Sequence, residues 1–182
     1  MNFPETLLNP RIRLVRANVG DAERILAALE PSSTQNLSFF SKKIDLEKQR
    51  KYLASQCASD DNWLWVVERI SDGMILGTAG LHEIDRVNHN ARLGFLIFRK
   101  EHRGQGYGTE TIVQVLRQAF MVFRLNKVYL KVFTSNPMAD HYRKMGFVDE
   151  GVLLQEYCLK GEYHDMFRLA FLKADWRAKI LA

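Results

Sequence analysis

Apolar and polar positions change their spacing several times along the chain, and each change predicts a new element. RIRLVRA (11–17) sets Ile12, Leu14 and Ala17 among arginines, more or less at strand period. Gly20-Asp21 opens a helix carrying Ile25, Leu26 and Leu29, stopped near Pro31. SSTQNLSFFSKK (32–43) reads as a loop. A second helix follows at about 45–58, with Leu46, Tyr52 and Leu53. Residues 62–85 form two β-rich runs around Asp72-Gly73, a strong two-residue turn signal. After the polar loop RVNHN comes another strand, ARLGFLIF (91–98). It leads through a glycine-rich stretch into a helix of about 106–123, with Ile112, Leu116, Ala119, Phe120 and Phe123 on one face. KVYLKVF (127–133) is a strand. NPMADHYRKMGF is a short helix closed by Gly146, the residue type preferred just past a helix. Two last strands meet at Lys160-Gly161. The order β-α-α-β-β-β-α-β-α-β-β predicts an α/β fold of the mixed α+β kind, with helices on both faces of a mixed sheet.

Length and composition narrow the classes. A chain of 182 residues fits a single domain, 1–182, with a sufficient core. Apolar runs such as Gly94–Phe98 fall far short of the ~20 residues of a membrane span. No basic-then-apolar leader is visible in MNFPETLLNPRIR. Two cysteines, Cys57 and Cys158, lie far apart in no CxxC arrangement, which suits a reducing, cytoplasmic location. Five histidines make no ligand pair, so no metal is expected. The net charge of +5 suits nucleic acid or an anionic ligand. No nucleic-acid motif or aromatic–basic interleaving accompanies it, so direct nucleic-acid binding is not expected.

The stretch HRGQGYGTET (102–111) places Gly104, Gly106 and Gly108 at alternate positions between a strand and a helix. Free backbone N–H groups and the positive helix end then meet at one point, beside Arg99, Lys100 and Arg103. The pattern is neither GxxxxGK[ST] nor GxGxxG, since Thr109 stands at the last required place. By itself it reads equally as an anion site or as a turn that lets strand pack on helix. One strand later, TSNPMADHYRKMGF puts Asn136 and Tyr142 at the same end of a parallel pair.

Arg103-x-x-Gly106-x-Gly108, Asn136, Tyr142 and RKMGF together resemble the GNAT N-acetyltransferase superfamily, and the tail GEYHDMFRLAFL resembles its branch of ribosomal-protein N-terminal and spermidine acetyltransferases. The resemblance covers most of the chain. It implies direct transfer of acetyl from acetyl-CoA, as co-substrate, to a primary amine: a peptide N-terminus, an amino sugar or a small amine. A non-catalytic acyl-CoA sensor on the same scaffold is the alternative, and Tyr142 favours the enzyme.

The resemblance implies that Arg103, Gly104, Gln105, Gly106, Tyr107, Gly108 and Thr109 hold the pyrophosphate. Asn136 and Lys144 join the cofactor site, and Arg143 or Lys144 can reach the 3′-phosphate. Backbone amides of Phe95, Leu96 and Ile97 polarise the acetyl carbonyl where two strands splay. Tyr142 is the expected acid and Glu83 the expected base, directly or through water, with His82 and His141 as alternatives. Two departures stand out. Asn136 to Tyr142 is one residue shorter than the family's spacing. Arg92 replaces a frequent glutamate, which argues against a polyamine acceptor. Residues 32–43, with Phe39 and Phe40, and the loop 84–90, with only Asp85 acidic, are expected to frame the acceptor site. The chain is expected to pair into a homodimer through its last strands or the helix edges, since the long C-terminal hairpin would otherwise leave an open edge.

Overall fold

A computed structural model describes residues 3–29, 45–159 and 161–181. The expected loop 32–43, with Phe39 and Phe40, and Lys160 of the last turn lie outside the described residues. The strands are β1 (Ile12–Arg16), β2 (Trp63–Arg69), β3 (Ile75–Asp85), β4 (Asn90–Ile97), β5 (Lys127–Phe133), β6 (Val148–Leu159) and β7 (Glu162–Leu172). The helices are α1 (Phe3–Leu8), α2 (Ala22–Ala28), α3 (Leu46–Ala58), α4 (Tyr107–Arg117), α5 (Met138–Met145) and α6 (Lys173–Leu181). Every expected element is present, and the pattern missed two. The terminal helices α1 and α6 do not show in it, because their apolar residues are few and their pairing is tertiary. Phe3 and Trp176 meet at a tilt with centroids 5.6 Å apart, Phe3 beside Phe171 and Trp176 beside Phe120. The helix expected over 106–123 is α-helical to Arg117 and then widens into a π-turn at Gln118–Val122.

Seven strands form one sheet in the order β1-β2-β3-β4-β5-β7-β6. All neighbours are antiparallel except β4 and β5. That parallel pair is short. Only Asn90–Arg92 meet Lys127–Tyr129, after which the strands part. Leu93–Ile97 and Leu130–Phe133 therefore face each other across a wedge. β4 stays paired with β3 as far as Ile97. Phe98 N donates to the Leu76 carbonyl at 2.9 Å, so alternation along β4 turns the backbone groups of Ile97 and Phe95 toward the wedge.

Two cores cover the sheet. On one face α1, α4, α5 and α6 bury Ile112, Leu116, Phe120, Tyr142 and Trp176 against Leu76, Leu81 and Val128. On the other, α2 and α3 bury Ile25 and Leu53 against Leu64, Val66 and Phe98. β2 opens with the unbroken apolar run WLWVV (63–67) because it is buried on both faces. Gly73 has φ 71° in the β2–β3 turn, which explains the Asp-Gly there.

Position 77 is restricted more sharply. The Leu96 carbonyl occupies the space a Cβ at Gly77 would take. Gly77→Ala therefore forces β3 away from β4 at the mouth of the wedge. It is expected to cost about 1–3 kcal/mol in urea unfolding. A variant as stable as wild type would show that the Leu96 peptide yields freely.

Candidate functional site

The wedge opens into a cavity of about 730 Å³. Of the expected site residues, Glu83, Phe95, Leu96, Asn136 and Tyr142 line it, with His82 and Arg92 beside them. Ile97, the segment Arg103–Thr109 and Lys144 do not line it. The glycine segment nonetheless adjoins it, since a Cβ at Gly108 would stand 3.4 Å from Phe95 Cε2.

The glycine loop has the conformation its composition predicts. Gly104 has φ 75° and Gly106 φ 86°, where side chains are strained. Gly106 is the N-cap of α4, whose first N–H groups lack helical acceptors. Arg103–Gly106 are exposed. The loop is braced from outside the motif. Arg11 Nη1 donates to the Gln105 carbonyl at 3.1 Å, and its guanidinium lies 4.7 Å from the Tyr107 ring centroid. Buried Glu110 accepts from the Arg11 and Ile12 amides at 2.6 and 3.1 Å and from Arg11 Nε at 3.0 Å. Arg103 Nη2 ties the loop back to the Ile97 carbonyl at 3.1 Å.

Tyr142 is set by the end of its own helix. Gly146, at φ 109°, lets the Gly146 N–H donate to the Arg143 carbonyl and the Phe147 N–H to the Tyr142 carbonyl. This is a Schellman ending, and its hydrophobic contact is the edge-on pair Tyr142–Phe147, with centroids 5.9 Å apart. The sequence YRKMGF thus encodes the geometry that holds the tyrosine. Among the described residues its hydroxyl has no hydrogen-bond partner, although Tyr142 is 8% exposed. Burial pushes the phenol up to about 12, so it keeps its proton at neutral pH.

Asn136 is half-buried, and its Oδ1 accepts from the Met138 amide at 3.0 Å, capping the start of α5. His141 meets Thr109 Oγ1 at 2.9 Å, joining the first turn of α4 to α5. Arg143 does not turn to the site. It is paired with Asp140 and Asp149, each at 2.8 Å, and lies over Phe167. Lys144 is exposed on the last turn of α5, away from the cavity.

The acceptor half differs more from expectation. No residue of 84–90 lines the cavity. These residues close the β3–β4 hairpin at the end where β4 is still paired, and Asp85 accepts from the Val87 and Asn88 amides within that turn. α3 takes the place expected for them, presenting Gln49, Tyr52 and Gln56. Their helical spacing carried no sign of a site. Glu83 sits at φ 53° in a β3 irregularity. Its carboxylate accepts from Arg92 Nε at 2.7 Å and from the Tyr129 hydroxyl at 2.6 Å. Partial burial would raise its pKa, but these two donors outweigh that and hold it below the usual range. Across the cavity, Lys131 Nζ pairs with Glu156 Oε1 at 2.6 Å. Among the described residues, each carboxylate on the wall thus has a cation beside it.

His82 lies over the cross-strand pair Gly80 and Gly94. Its Nδ1 is 3.3 Å from Asn62 Oδ1. Burial, with the Arg92 charge added, lowers its pKa to about 4 against the opposing pull of Glu83.

The chain matches the acetyltransferase (GNAT) domain family over residues 11–148. It is 34% identical over 113 residues to a spermidine N(1)-acetyltransferase of Vibrio cholerae, covering 62% of this chain and 64% of that protein. It is 29% identical over 109 residues to a putative ribosomal N-acetyltransferase, YdaF, of Bacillus subtilis, covering 59% of each. The chain therefore aligns with less than two thirds of these relatives' length. Among solved structures, mutant forms of the spermidine/spermine N-acetyltransferase SpeG from Vibrio cholerae match with a TM-score of 0.79 and 25% identity. That match covers 94% of this chain and 99% of SpeG. A dodecameric structure of the spermidine N-acetyltransferase from the same organism matches with a TM-score of 0.77 and 26% identity, covering 92% of this chain and 97% of that one.

The His82 environment has a consequence for stability. In the unfolded chain a histidine takes its proton near ~6.5, whereas folded His82 stays neutral down to about 4. Its contribution to stability is present above the higher value and is lost as pH falls toward the lower. Thermal melts of wild type are expected to weaken between those two values. His82→Gln is expected to lose part of that dependence. Identical pH profiles for the two proteins would refute this.

Proposed function

This chain belongs to the GNAT acetyltransferase family, and on that footing we propose that it moves an acetyl group from acetyl-CoA directly to the nitrogen of a primary amine. The observation that carries the reading is the wedge between β4 and β5, with a glycine loop at one side and Tyr142 lining its cavity. A module that only bound acyl-CoA would have no use for a buried phenol without a protein partner.

The residues fit acetyl-CoA as substrate. Positive-φ Gly104 and Gly106 leave the loop backbone bare, and a Cβ at Gly104 would meet nothing within 4 Å. Amides of residues 103–109, with Arg103, suit the pyrophosphate. The wedge-facing backbone of Phe95 and Ile97 suits the acetyl carbonyl, whose oxygen gains charge as nitrogen attacks. Asn136 acts chiefly by capping α5 and so fixing Tyr142.

A new C–N bond forms, the C–S bond breaks, and the sulfur leaves as thiolate. Tyr142 donates a hydrogen bond to that thiolate. A free thiol titrates near ~8.5, and the phenol at about 12. Complete transfer from Tyr142 is therefore uphill, and stabilising the charge is its main contribution. Tyr142→Phe keeps the ring against Phe147 and removes only the donor. Turnover is expected to fall ~10²-fold with little change in the Michaelis constant for acetyl-CoA. Retention of more than about half the wild-type turnover, with chemistry rate-limiting, would remove Tyr142 from the mechanism.

The acceptor follows from the charge pairs. Among the described residues, Glu83 beside Arg92 and Glu156 beside Lys131 leave no surplus negative charge on the wall. A singly charged amine suits such a site better than a polycation. Thiol release with acetyl-CoA and three acceptors tests both levels: spermidine, glucosamine and a short peptide with a free α-amine. Turnover with the peptide or the sugar above spermidine is expected. Spermidine preferred would overturn the charge argument, and no turnover with any would overturn the transferase reading.

β6 forms an open edge with Val148, Val152 and Leu154 exposed, which supports pairing with a second copy. A relative's dodecameric assembly agrees with self-association. A monomeric mass by light scattering would remove this pairing. Two free cysteines support a cytoplasmic location.

A further inference from the structure

On the transferase reading above, we propose that His82 Nε2 is the atom that takes the proton from the attacking amine. Glu83 is adjacent in sequence and was the expected base, but it is committed to other partners. Arg92 and Tyr129 both donate to its carboxylate, so its oxygens already hold short hydrogen bonds. Taking a proton there would break the pair with Arg92 and leave that cation uncompensated in the cavity wall. Glu83 therefore serves to hold Arg92 and Tyr129.

The surroundings of His82 differ. The cross-strand glycines Gly80 and Gly94 leave a hole on the sheet that the imidazole fills. A Cβ at position 80 would stand 2.9 Å from Nε2, and one at position 94 would stand 3.1 Å from it. Both positions thus need to be bare for the ring to lie there. Gly94 immediately precedes Phe95, where the backbone turns toward the wedge, and both line the same cavity as His82.

Asn62 selects the tautomer. An amide oxygen only accepts, so Nδ1 must carry the proton to donate to Asn62 Oδ1. Nε2 is then the bare lone pair. Among the described residues it has no hydrogen-bond partner. Burial opposes protonation most, the Arg92 charge opposes it too, and Glu83 favours it. The ring therefore waits in the neutral, proton-accepting form across the neutral pH range.

The proton count follows. The ammonium loses its first proton to solvent before attack, since an amine near pKa ~10 is almost wholly protonated at neutral pH. The free amine attacks, and nitrogen becomes positive as the C–N bond forms. That second proton moves to Nε2 while the C–S electrons leave with sulfur. His82 then releases its proton to solvent, and the thiolate takes one up. No oxidant or further reactant is needed.

Two measurements test this. Long-range nitrogen–proton NMR on wild-type protein at neutral pH is expected to show His82 protonated at Nδ1 and bare at Nε2. A proton on Nε2, or a charged ring, overturns the assignment whatever the acceptor proves to be. Second, His82→Ala is expected to lose ~10²-fold or more in turnover with whichever of the three amines wild type acetylates. Added imidazole, which can occupy the hole over Gly80 and Gly94, is expected to restore part of the rate in a saturable way. A purely structural histidine predicts a loss that imidazole leaves unchanged, and that outcome overturns the proposal, as does near wild-type turnover. Wild type inactive on all three amines would sink the transferase reading instead, and it would leave the NMR result to decide the tautomer.

Discussion

β4 and β5 share only three residues of parallel pairing, Asn90–Arg92 with Lys127–Tyr129, and the rest of the structure is arranged around their parting. Backbone N–H and C=O groups away from water need partners. Separating two central strands therefore removes bonds the sheet would otherwise make. The sheet keeps its continuity on either side, because β3 holds β4 to Ile97 and β7 holds β5 to Phe133. The opening is thus confined between two well-paired halves, and it presents an extended backbone edge to whatever enters.

Both flanks of the wedge are fixed by contacts remote from it in sequence. Arg11 and Glu110 lock the start of β1 to the start of α4, so the glycine loop is bare of side chains yet held in place. Such a brace matters because glycine gives the loop its close approach at the cost of conformational entropy. On the other flank, the Schellman ending at Gly146 and the ring of Phe147 hold Tyr142. The π-turn at Gln118–Val122 and the helices α1 and α6 complete the core beneath, with Trp176, Phe3 and Phe171 in contact.

The cavity wall at His82 and Glu83 shows how neighbouring residues take different partners. His82 and Glu83 are consecutive in a strand, and the irregularity at Glu83 sends the two side chains to different partners. One meets Asn62 and two glycines, the other Arg92 and Tyr129. The same burial that keeps the imidazole uncharged is overcome at the carboxylate by two donors, so a neutral ring stands next to an ionised carboxylate.

Residue pattern alone predicted the strand and helix order from Ile12 to Leu172, the glycine turn ahead of α4, and the glycine-ended helix that carries Tyr142. These are local matters: period of apolar residues, positive-φ glycines, and a helix ending written in YRKMGF. Only the tertiary structure decided which cations stay free, since Arg143 is claimed by Asp140 and Asp149 through folding of β6 against α5. It alone put α3 rather than residues 84–90 against the cavity, because the cavity lies at the splayed end of the sheet and that turn at the paired end. And it alone separated His82 from Glu83. Hydrogen-bond partners such as Asn62, 20 residues away, and Tyr129, 46 away, are brought by strand register, which no local pattern encodes.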